Sequence, residues 1–217
     1  MRFLLYNIRY GAGIGRQIHF PLPYIGYLKR TNGNFERIAE FIRTIGPDIA
    51  GLIEVDCGSY RTEQSNQASA VARLMDHESV YQSKYSEASL LQKVPLLNKQ
   101  GNAILTNRYV KNSHFHYFSI GIKRLVLEME LEDCRIFLVH LSLRFRQRQT
   151  QLKELQTFLS GTQKPLIVAG DFNVFRGDSE LLHFMSGANL KSANGGGHPS
   201  HPSRAPVSYT HLTLPTN

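Results

Sequence analysis

Short apolar runs that each stop at a polar or turn residue constrain the fold of this chain more than any other feature. The runs are three to seven residues long and rich in Ile, Leu and Val, which is the pattern of buried β-strands. They cover residues 3–6, 49–53, 103–105, 125–131, 136–139 and 166–169. Because residues 113–139 leave too little chain for helical crossovers, we expect antiparallel hairpins there.

Helical patterns separate these runs. Residues 35–45 carry an apolar stripe at helical spacing, with Asn34 as the expected N-cap and Gly46 as the expected stop. Further helices are predicted over residues 66–75, 145–159 and 179–185. Strands and helices together predict an α+β domain in which two sheets pack together and are covered by helices.

Composition points to one ordinary globular domain. The chain has 217 residues, of which 41% are hydrophobic and 19% charged, a balance that argues against disorder. Its two cysteines, Cys57 and Cys134, show no Cys-x-x-Cys spacing, so we expect neither a zinc ribbon nor a disulfide framework. No signal-peptide core and no membrane-spanning stretch is visible, and we expect a soluble, cytoplasmic protein.

The charge balance is basic. Lys and Arg number 25 against 17 Asp and Glu, which gives a formal charge of +8. Such a surface attracts a phosphorylated substrate, a nucleic acid or another polyanion. Net charge alone fits a generally basic protein without such a partner equally well.

Four polar residues stand where apolar runs end: Asn7, Glu54, His140 and Asp171. If these strands lie side by side, the four side chains meet at one edge of the fold. Their oxygen and nitrogen atoms form a donor set typical of a hard-metal site of the Mg²⁺ type. The alternative for each residue taken singly is a solvated strand end or a structural histidine.

The segment Leu-Ile-Val-Ala-Gly-Asp-Phe-Asn at residues 166–173 is more specific. Gly170 permits a tight turn, after which Asp171 and Asn173 face the same side of an extended chain. Asp171 can orient or deprotonate a water molecule, and Asn173 can donate to a phosphate oxygen. The alternative is an Asx turn that closes the strand.

Basic residues surround the start of the helix predicted over 145–159. Stepping back by four from Leu152 places Arg148 and Arg144 on the same side, near the positive helix N-terminus, where a phosphate would bind. Both are therefore candidate substrate-binding residues. A solvated basic turn is the alternative, and it is our interpretation of Arg146.

Five motifs occur in the order found in one known family. They are Leu-Tyr-Asn-Ile-Arg at 5–9, Pro-Asp-Ile-Ala-Gly-Leu-Ile-Glu at 47–54, Gly-Asn-Ala-Ile-Leu at 101–105, Val-His-Leu at 139–141 and Gly-Asp-Phe-Asn at 170–173. With these motifs, residues 1–203 resemble the endonuclease/exonuclease/phosphatase superfamily, which has the deoxyribonuclease-I-like fold. The resemblance implies a four-layer αββα sandwich of two mainly antiparallel sheets flanked by helices, a Mg²⁺ or Mn²⁺ cofactor, and hydrolysis of a phosphodiester or phosphomonoester by in-line attack of water.

The resemblance also implies roles for individual residues. Glu54 corresponds to the metal-binding carboxylate and Asn7 to its neighbour at the metal. Asp171 corresponds to the residue that positions the attacking water, while Asn173 and His140 correspond to groups that hold the scissile phosphate. Asn102 corresponds to a weaker contributor to substrate binding.

The C-terminal segment departs from the family pattern, which closes with an Asp or Asn followed by a catalytic His. Here Thr210 precedes His211 in a segment, residues 204–217, that contains no Asp or Glu. We therefore expect 204–217 to be a non-native or disordered tail, the domain to span 1–203 and the family's last strand or strands to be missing. Loss of the general base would cost about 10² to 10⁴ in rate, so this chain could be inactive.

The substrate stays open at the level of sequence. Residues 53–56, Ile-Glu-Val-Asp, lack the Gln and Lys that flank the metal-binding Glu in the family's abasic-site endonucleases, which disfavours DNA repair. A nucleic acid, a nucleotide and a phospholipid headgroup all remain candidate partners. The alternative function is a catalytically inactive basic module of the same fold that binds nucleic acid or another polyanion.

Overall fold

The chain divides into two compact units. In the computed structural model, the described residues are 1–12, 32–85, 97–161, 163–174, 178–193 and 210–215. The first unit comprises Met1–Arg108 and the second Tyr109–Asn217. No helix among the described residues has the length and apolar character needed to cross a lipid bilayer.

Among the described residues, the first unit is a four-stranded sheet with two α-helices. Its elements are β1 (Phe3–Asn7), α1 (Asn32–Ile45), β2 (Ile49–Asp56), α2 (Gln67–Met75), β3 (Glu78–Ser83) and β4 (Gln100–Thr106). The strand order is β1-β2-β4-β3. Strand β1 runs parallel to β2, and the other pairs are antiparallel.

The helices of this unit begin and end for local reasons. Helix α1 ends where Gly46 adopts φ +56° and donates its N–H to the Ile42 carbonyl, as the sequence predicted. Helix α2 is capped by Asn66, whose side chain accepts from Ser69 N at 3.2 Å. The predicted N-cap of α1 was wrong, since the helix begins at Asn32 and contains Asn34. Apolar residues of α1, α2, β2 and β4 form one buried core cluster.

In the part that the structure describes, the second unit is a six-stranded sheet, also with two α-helices. Its elements are β5 (Asn112–Tyr117), β6 (Leu125–Glu130), β7 (Arg135–His140), α3 (Phe145–Leu159), β8 (Leu166–Asp171), α4 (Leu182–Gly187), β9 (Leu190–Ser192) and β10 (Thr210–Pro215). The strand order is β5-β6-β7-β8-β10-β9. The predicted hairpins of β5, β6 and β7 are confirmed, while β7 and β8 are parallel and joined through α3. Leu152 and Leu155 of α3 are buried in a core cluster with Phe137, Val139 and Phe172.

Strand β10 lies within residues 204–217, the segment for which the sequence predicted a non-native or disordered tail. Thr210–Pro215 runs between β8 and β9, with Thr210 opposite Asp171 and Thr213 opposite Ser192. Residues 211–214 alternate polar and apolar types, a period that suits a strand. The remaining residues of that segment, 204–209 and 216–217, are outside the described residues.

Candidate active site

Glu54 lies in a bulge of β2. The register between β2 and β4 shifts between Leu52 and Val55, and Glu54 has φ +56°, a left-handed conformation that costs a non-glycine residue free energy. The Glu54 N–H donates to Asn102 Oδ1 at 3.2 Å, and Asn102 is itself buried. Since Glu54 is the only residue of β2 that is not fully buried, the bulge holds one carboxylate at the boundary between core and solvent.

Asn7 ends the neighbouring parallel strand at the same level. It is paired with Ile53, the residue before Glu54, and its Oδ1 accepts from Arg9 N at 3.1 Å. Beyond it the chain turns sharply, with left-handed backbone at Arg9 and Tyr10. The first unit therefore brings together three of the residues singled out from the sequence, Asn7, Glu54 and Asn102.

A buried ion pair lies directly beyond this cluster, and sequence reasoning missed it. Arg61 and Asp56 are both fully buried, with 2.7 Å between Nη2 and Oδ2, and Ser59 Oγ donates to the same carboxylate oxygen at 2.6 Å. The Arg61 guanidinium also lies 4.8 Å from the centre of the Tyr10 ring. Gln67 completes the connection by accepting from Asp56 N and donating to the Tyr10 carbonyl. These contacts link the end of β2 to the turn after β1.

The donor set of the first unit fits a hard divalent cation. It offers the Glu54 carboxylate and the amide oxygens of Asn7 and Asn102, although each amide oxygen also accepts a backbone N–H. Among the described residues, no three or more His, Cys, Asp or Glu side chains form a group that could hold a metal. One carboxylate with amide oxygens suits Mg²⁺, which keeps water and substrate phosphate as its other ligands, and does not suit structural zinc.

Thiol chemistry is disfavoured at this place. Cys57 follows Asp56 directly. Burial, followed by the negative charge of Asp56, raises the pKa of the Cys57 thiol to about 12. The thiol therefore stays protonated at neutral pH and is a poor nucleophile and metal ligand.

In the second unit, His140 and Asp171 lie side by side at the ends of two parallel strands. They are register partners in β7 and β8, with 3.6 Å between His140 Nε2 and Asp171 Oδ2. Gly170 makes this pairing possible, because a Cβ at that position would overlap the carbonyl oxygen of Val139. Gly170 is thus required for close strand contact, whereas the sequence had predicted that it permits a turn.

Asn173 closes the turn after β8. It has φ +51°, so the backbone there is left-handed, whereas the sequence had predicted an extended chain. Its N–H donates to Asp171 Oδ1 at 3.1 Å, and its Nδ2 donates to the Leu141 carbonyl at 2.9 Å. The Asx turn that the sequence left open as an alternative is present, and it ties the Asp171 side chain to the segment after His140.

Lys123 is a member of this cluster that the sequence did not reveal. Its ammonium group lies within hydrogen-bonding distance of His140 Nε2. Because an ammonium can only donate, His140 Nε2 accepts in this geometry. Lys123 lies in the loop between β5 and β6, which a hydrogen bond from Phe118 N to the Arg124 carbonyl closes at 2.8 Å. No local pattern distinguishes such a lysine from a solvated one.

Gln151 fixes the position of that loop. It is fully buried in α3, and its Nε2 donates to the carbonyls of Ile120 and Lys123 at 3.0 and 2.8 Å. Its Oε1 accepts from Ser142 N at 2.8 Å. One side-chain amide therefore joins the loop that carries Lys123 to the segment that follows His140.

The structure separates the two arginines that the sequence grouped together. Arg148 is buried, pairs with Glu180 and donates through Nη1 to the carbonyls of Ser142 and Leu143 at 3.0 Å. Its hydrogen-bonding groups are used inside the fold, which differs from the predicted role in substrate binding. Arg144 is exposed at the N-cap position of α3.

Comparison with known proteins adds family and fold. A family model described as "Endonuclease/Exonuclease/phosphatase family" matches residues 4–214. The human Nocturnin catalytic domain with bound sulfate anion has 24% sequence identity and a TM-score of 0.68, with 99% of this chain and 81% of that chain covered. A family protein from Bacteroides thetaiotaomicron has 12% identity and a TM-score of 0.67, with coverages of 99% and 81%.

Truncated TDP2 from Caenorhabditis elegans is a more distant structural match. It has 15% identity and a TM-score of 0.56, with 84% of this chain and 76% of that chain covered. The comparison with curated protein sequences gave no significant match. Likeness at these identities shows the fold alone, and it confirms the predicted α+β sandwich class.

Proposed function

The chain belongs to the endonuclease/exonuclease/phosphatase family, and from this premise we propose that it hydrolyses a phosphodiester or phosphomonoester bond with the help of Mg²⁺ or Mn²⁺. Members of the family are generally metal-dependent phosphoesterases. The observation that carries the proposal is the strained bulge at Glu54, where a buried strand presents a single partly exposed carboxylate. Strain of this kind persists where function requires it.

In this proposal Glu54 and Asn7 hold the metal ion, and Asn102 supports them through the Glu54 backbone. A bound Mg²⁺ or Mn²⁺ would act as a Lewis acid towards the phosphoryl oxygens. The Asp56–Arg61 pair has a positioning role, because its contacts hold the end of β2 against the turn that follows Asn7.

The residues of the second unit act on the water and the phosphate. We assign to Asp171 the orientation of a water molecule for in-line attack, with its carboxylate fixed by the N–H of Asn173. The side-chain amide of Asn173 has two N–H groups, one of which donates to the Leu141 carbonyl, and we assign the other to a phosphate oxygen.

Lys123 and His140 complete the phosphate-binding group. An oxyanion placed between them would accept from the ammonium, a charge-assisted hydrogen bond that is stronger than a neutral one. Exposed Arg144 adds a further positive charge nearby in sequence. The sulfate anion in the Nocturnin structure supports the idea that this fold accommodates tetrahedral oxyanions.

The chemical class of the substrate is thus a phosphate ester, which nucleic acids, nucleotides and phospholipid headgroups all contain. Both cysteines are free, and we propose the reducing cytoplasm as the compartment in which the protein works.

Metal-dependent turnover tests this function. We predict that the protein hydrolyses bis(4-nitrophenyl) phosphate or 4-nitrophenyl phosphate when Mg²⁺ or Mn²⁺ is supplied and that EDTA abolishes the reaction. Glu54→Gln should raise the Mg²⁺ concentration needed for half-maximal rate by at least about tenfold, because a neutral amide replaces the metal-binding carboxylate. The matched control is Glu36→Gln, which removes an exposed carboxylate from α1.

Two results would contradict the proposal. One is turnover that survives the removal of divalent metal. The other is the absence of turnover with every ester and metal, combined with salt-sensitive binding of nucleic acid that needs no metal. The second result is the one expected of an inactive basic module.

A further inference from the structure

Two loops of the second unit expose large apolar side chains beside His140. They are the loop of residues 118–124 and the segment of residues 141–146, which we call together the rim. Four large apolar side chains of the rim are exposed, by 37% at Ile120, 66% at Ile122, 58% at Leu143 and 45% at Phe145. Each leaves apolar surface in water, where burial would be favourable.

The two loops are neighbours in space. The Gln151 amide contacts the carbonyls of Ile120 and Lys123 in one loop and the N–H of Ser142 in the other. The four apolar side chains therefore lie on adjacent loops, and Lys123 of one loop contacts His140, which precedes the other. Clustered exposed apolar residues of this kind mark an interaction site.

The charges of the rim restrict what can bind there. Cations follow the apolar residues directly, as in Ile122-Lys123 and Leu143-Arg144-Phe145-Arg146, and residues 118–124 and 141–149 contain no Asp or Glu. At the base of the rim, Glu154 accepts from Ser119 and Glu180 pairs with Arg148. A partner that fits the rim must therefore present both apolar groups and negative charges on one surface.

We propose that the rim docks on the surface of an anionic lipid bilayer. Aliphatic side chains would enter the boundary between headgroups and acyl chains, while the interleaved cations pair with lipid phosphates. Three of the four apolar residues are aliphatic, which disfavours single-stranded nucleic acid, since that ligand stacks its bases on aromatic rings. A second copy of the chain is disfavoured because the cations of two rims would repel each other.

Docking would also narrow the substrate class. With the rim in the bilayer surface, the Lys123–His140 pair lies next to the layer of lipid phosphates, so a phosphate ester of a lipid headgroup becomes the expected substrate. This last step rests on the proposed hydrolase function, whereas docking itself does not.

Co-sedimentation with vesicles tests the docking. We expect the protein to bind vesicles of phosphatidylcholine mixed with phosphatidylserine and to bind pure phosphatidylcholine much less. The double variant Ile122→Ser, Leu143→Ser should weaken binding by at least about tenfold, because it removes two inserted side chains. The matched control is Leu182→Ser, which removes a 60% exposed leucine from α4 and should bind like the wild type.

A charge variant independently tests the electrostatic contribution to vesicle binding. Arg146→Gln should weaken binding to the mixed vesicles by about fivefold, the effect of one cation near an anionic surface. Lys153→Gln on the exposed side of α3 is the control and should change little. Thermal unfolding of each variant confirms that it is folded.

The proposal is overturned if the wild type binds no vesicles, or if the Ile122, Leu143 variant binds as tightly as the Leu182 control. It is also overturned if a single-stranded oligonucleotide binds the rim more tightly than the mixed vesicles do. Hydrolysis of soluble 4-nitrophenyl esters keeps the two hypotheses apart, because the aliphatic rim variant should retain it. If the protein bound vesicles but hydrolysed no ester, the docking proposal would stand and the hydrolase proposal would be contradicted.

Discussion

At the scale of single residues, two of the residues proposed for the site have left-handed backbone. Glu54 and Asn173 both have positive φ, at +56° and +51°, and both are residues that we assign to catalysis. A left-handed conformation costs most non-glycine residues, such as Glu54, about 1 to 2 kcal/mol, whereas Asn adopts it more readily. Such a cost is maintained when the side chain has a function that glycine cannot perform.

Glycine at Glu54 should therefore improve stability and remove function. We predict that Glu54→Gly raises the free energy of unfolding by about 1 kcal/mol, since glycine tolerates the left-handed conformation, while metal-dependent turnover is lost. Urea unfolding and the ester assay measure the two effects. Glu63→Gly, at another left-handed position (φ +51°) that caps a short helix, should gain stability without losing turnover. A less stable Glu54→Gly variant would show that the bulge is not strained.

At the scale of elements, strand β10 joins β8 to β9 in the second sheet. It pairs with both β8 and β9, and the family match extends to residue 214. Without it, β8 would lose its antiparallel neighbour next to Asp171 and present an open edge.

Truncation tests this strand. Removing residues 210–217 should lower the free energy of unfolding by about 2 kcal/mol or more, because two strand pairings are lost, and should promote aggregation. Removing only Thr216 and Asn217 is the control, since β10 ends at Pro215. Equal urea midpoints for the two truncated proteins would mean that the segment contributes nothing to the fold, as the sequence first suggested.

Sequence reasoning succeeded where structure depends on neighbouring residues. Helices α2 and α3 were predicted within one residue of their observed bounds, because an Asn cap and a leucine stripe are local signals. Strands β3 and β9 were not predicted, since short edge strands rich in polar residues carry little hydrophobic periodicity.

The same distinction holds for the candidate site. Asn7, His140 and Asp171 could be proposed from the sequence because each follows an apolar run. Lys123 and Gln151 were missed because their roles depend on how distant loops close. Arg148 was misjudged because helical spacing does not reveal its partner Glu180, which lies 32 residues further along the chain.

At the scale of the whole molecule, each unit carries a cluster with its own chemistry. The first offers oxygen donors around Glu54, and the second offers Lys123, His140, Asp171 and Asn173. The formal charge of +8 adds a general attraction for phosphate esters. The proposed reaction assigns the metal ion to the first cluster and the water and phosphate to the second, so removing either should remove most of the rate.

A double-mutant cycle measures this dependence most directly. Its variants are Glu54→Gln, Asp171→Asn and the combination, and its readout is kcat/KM for metal-dependent hydrolysis of a 4-nitrophenyl ester. We predict that each single change lowers kcat/KM by at least about 100-fold. The double variant should have nearly the same kcat/KM as the less active single variant, because the effects of residues that act together in one reaction are not additive. Wild-type kcat/KM in either single variant, or losses that simply multiply, would contradict the proposed reaction.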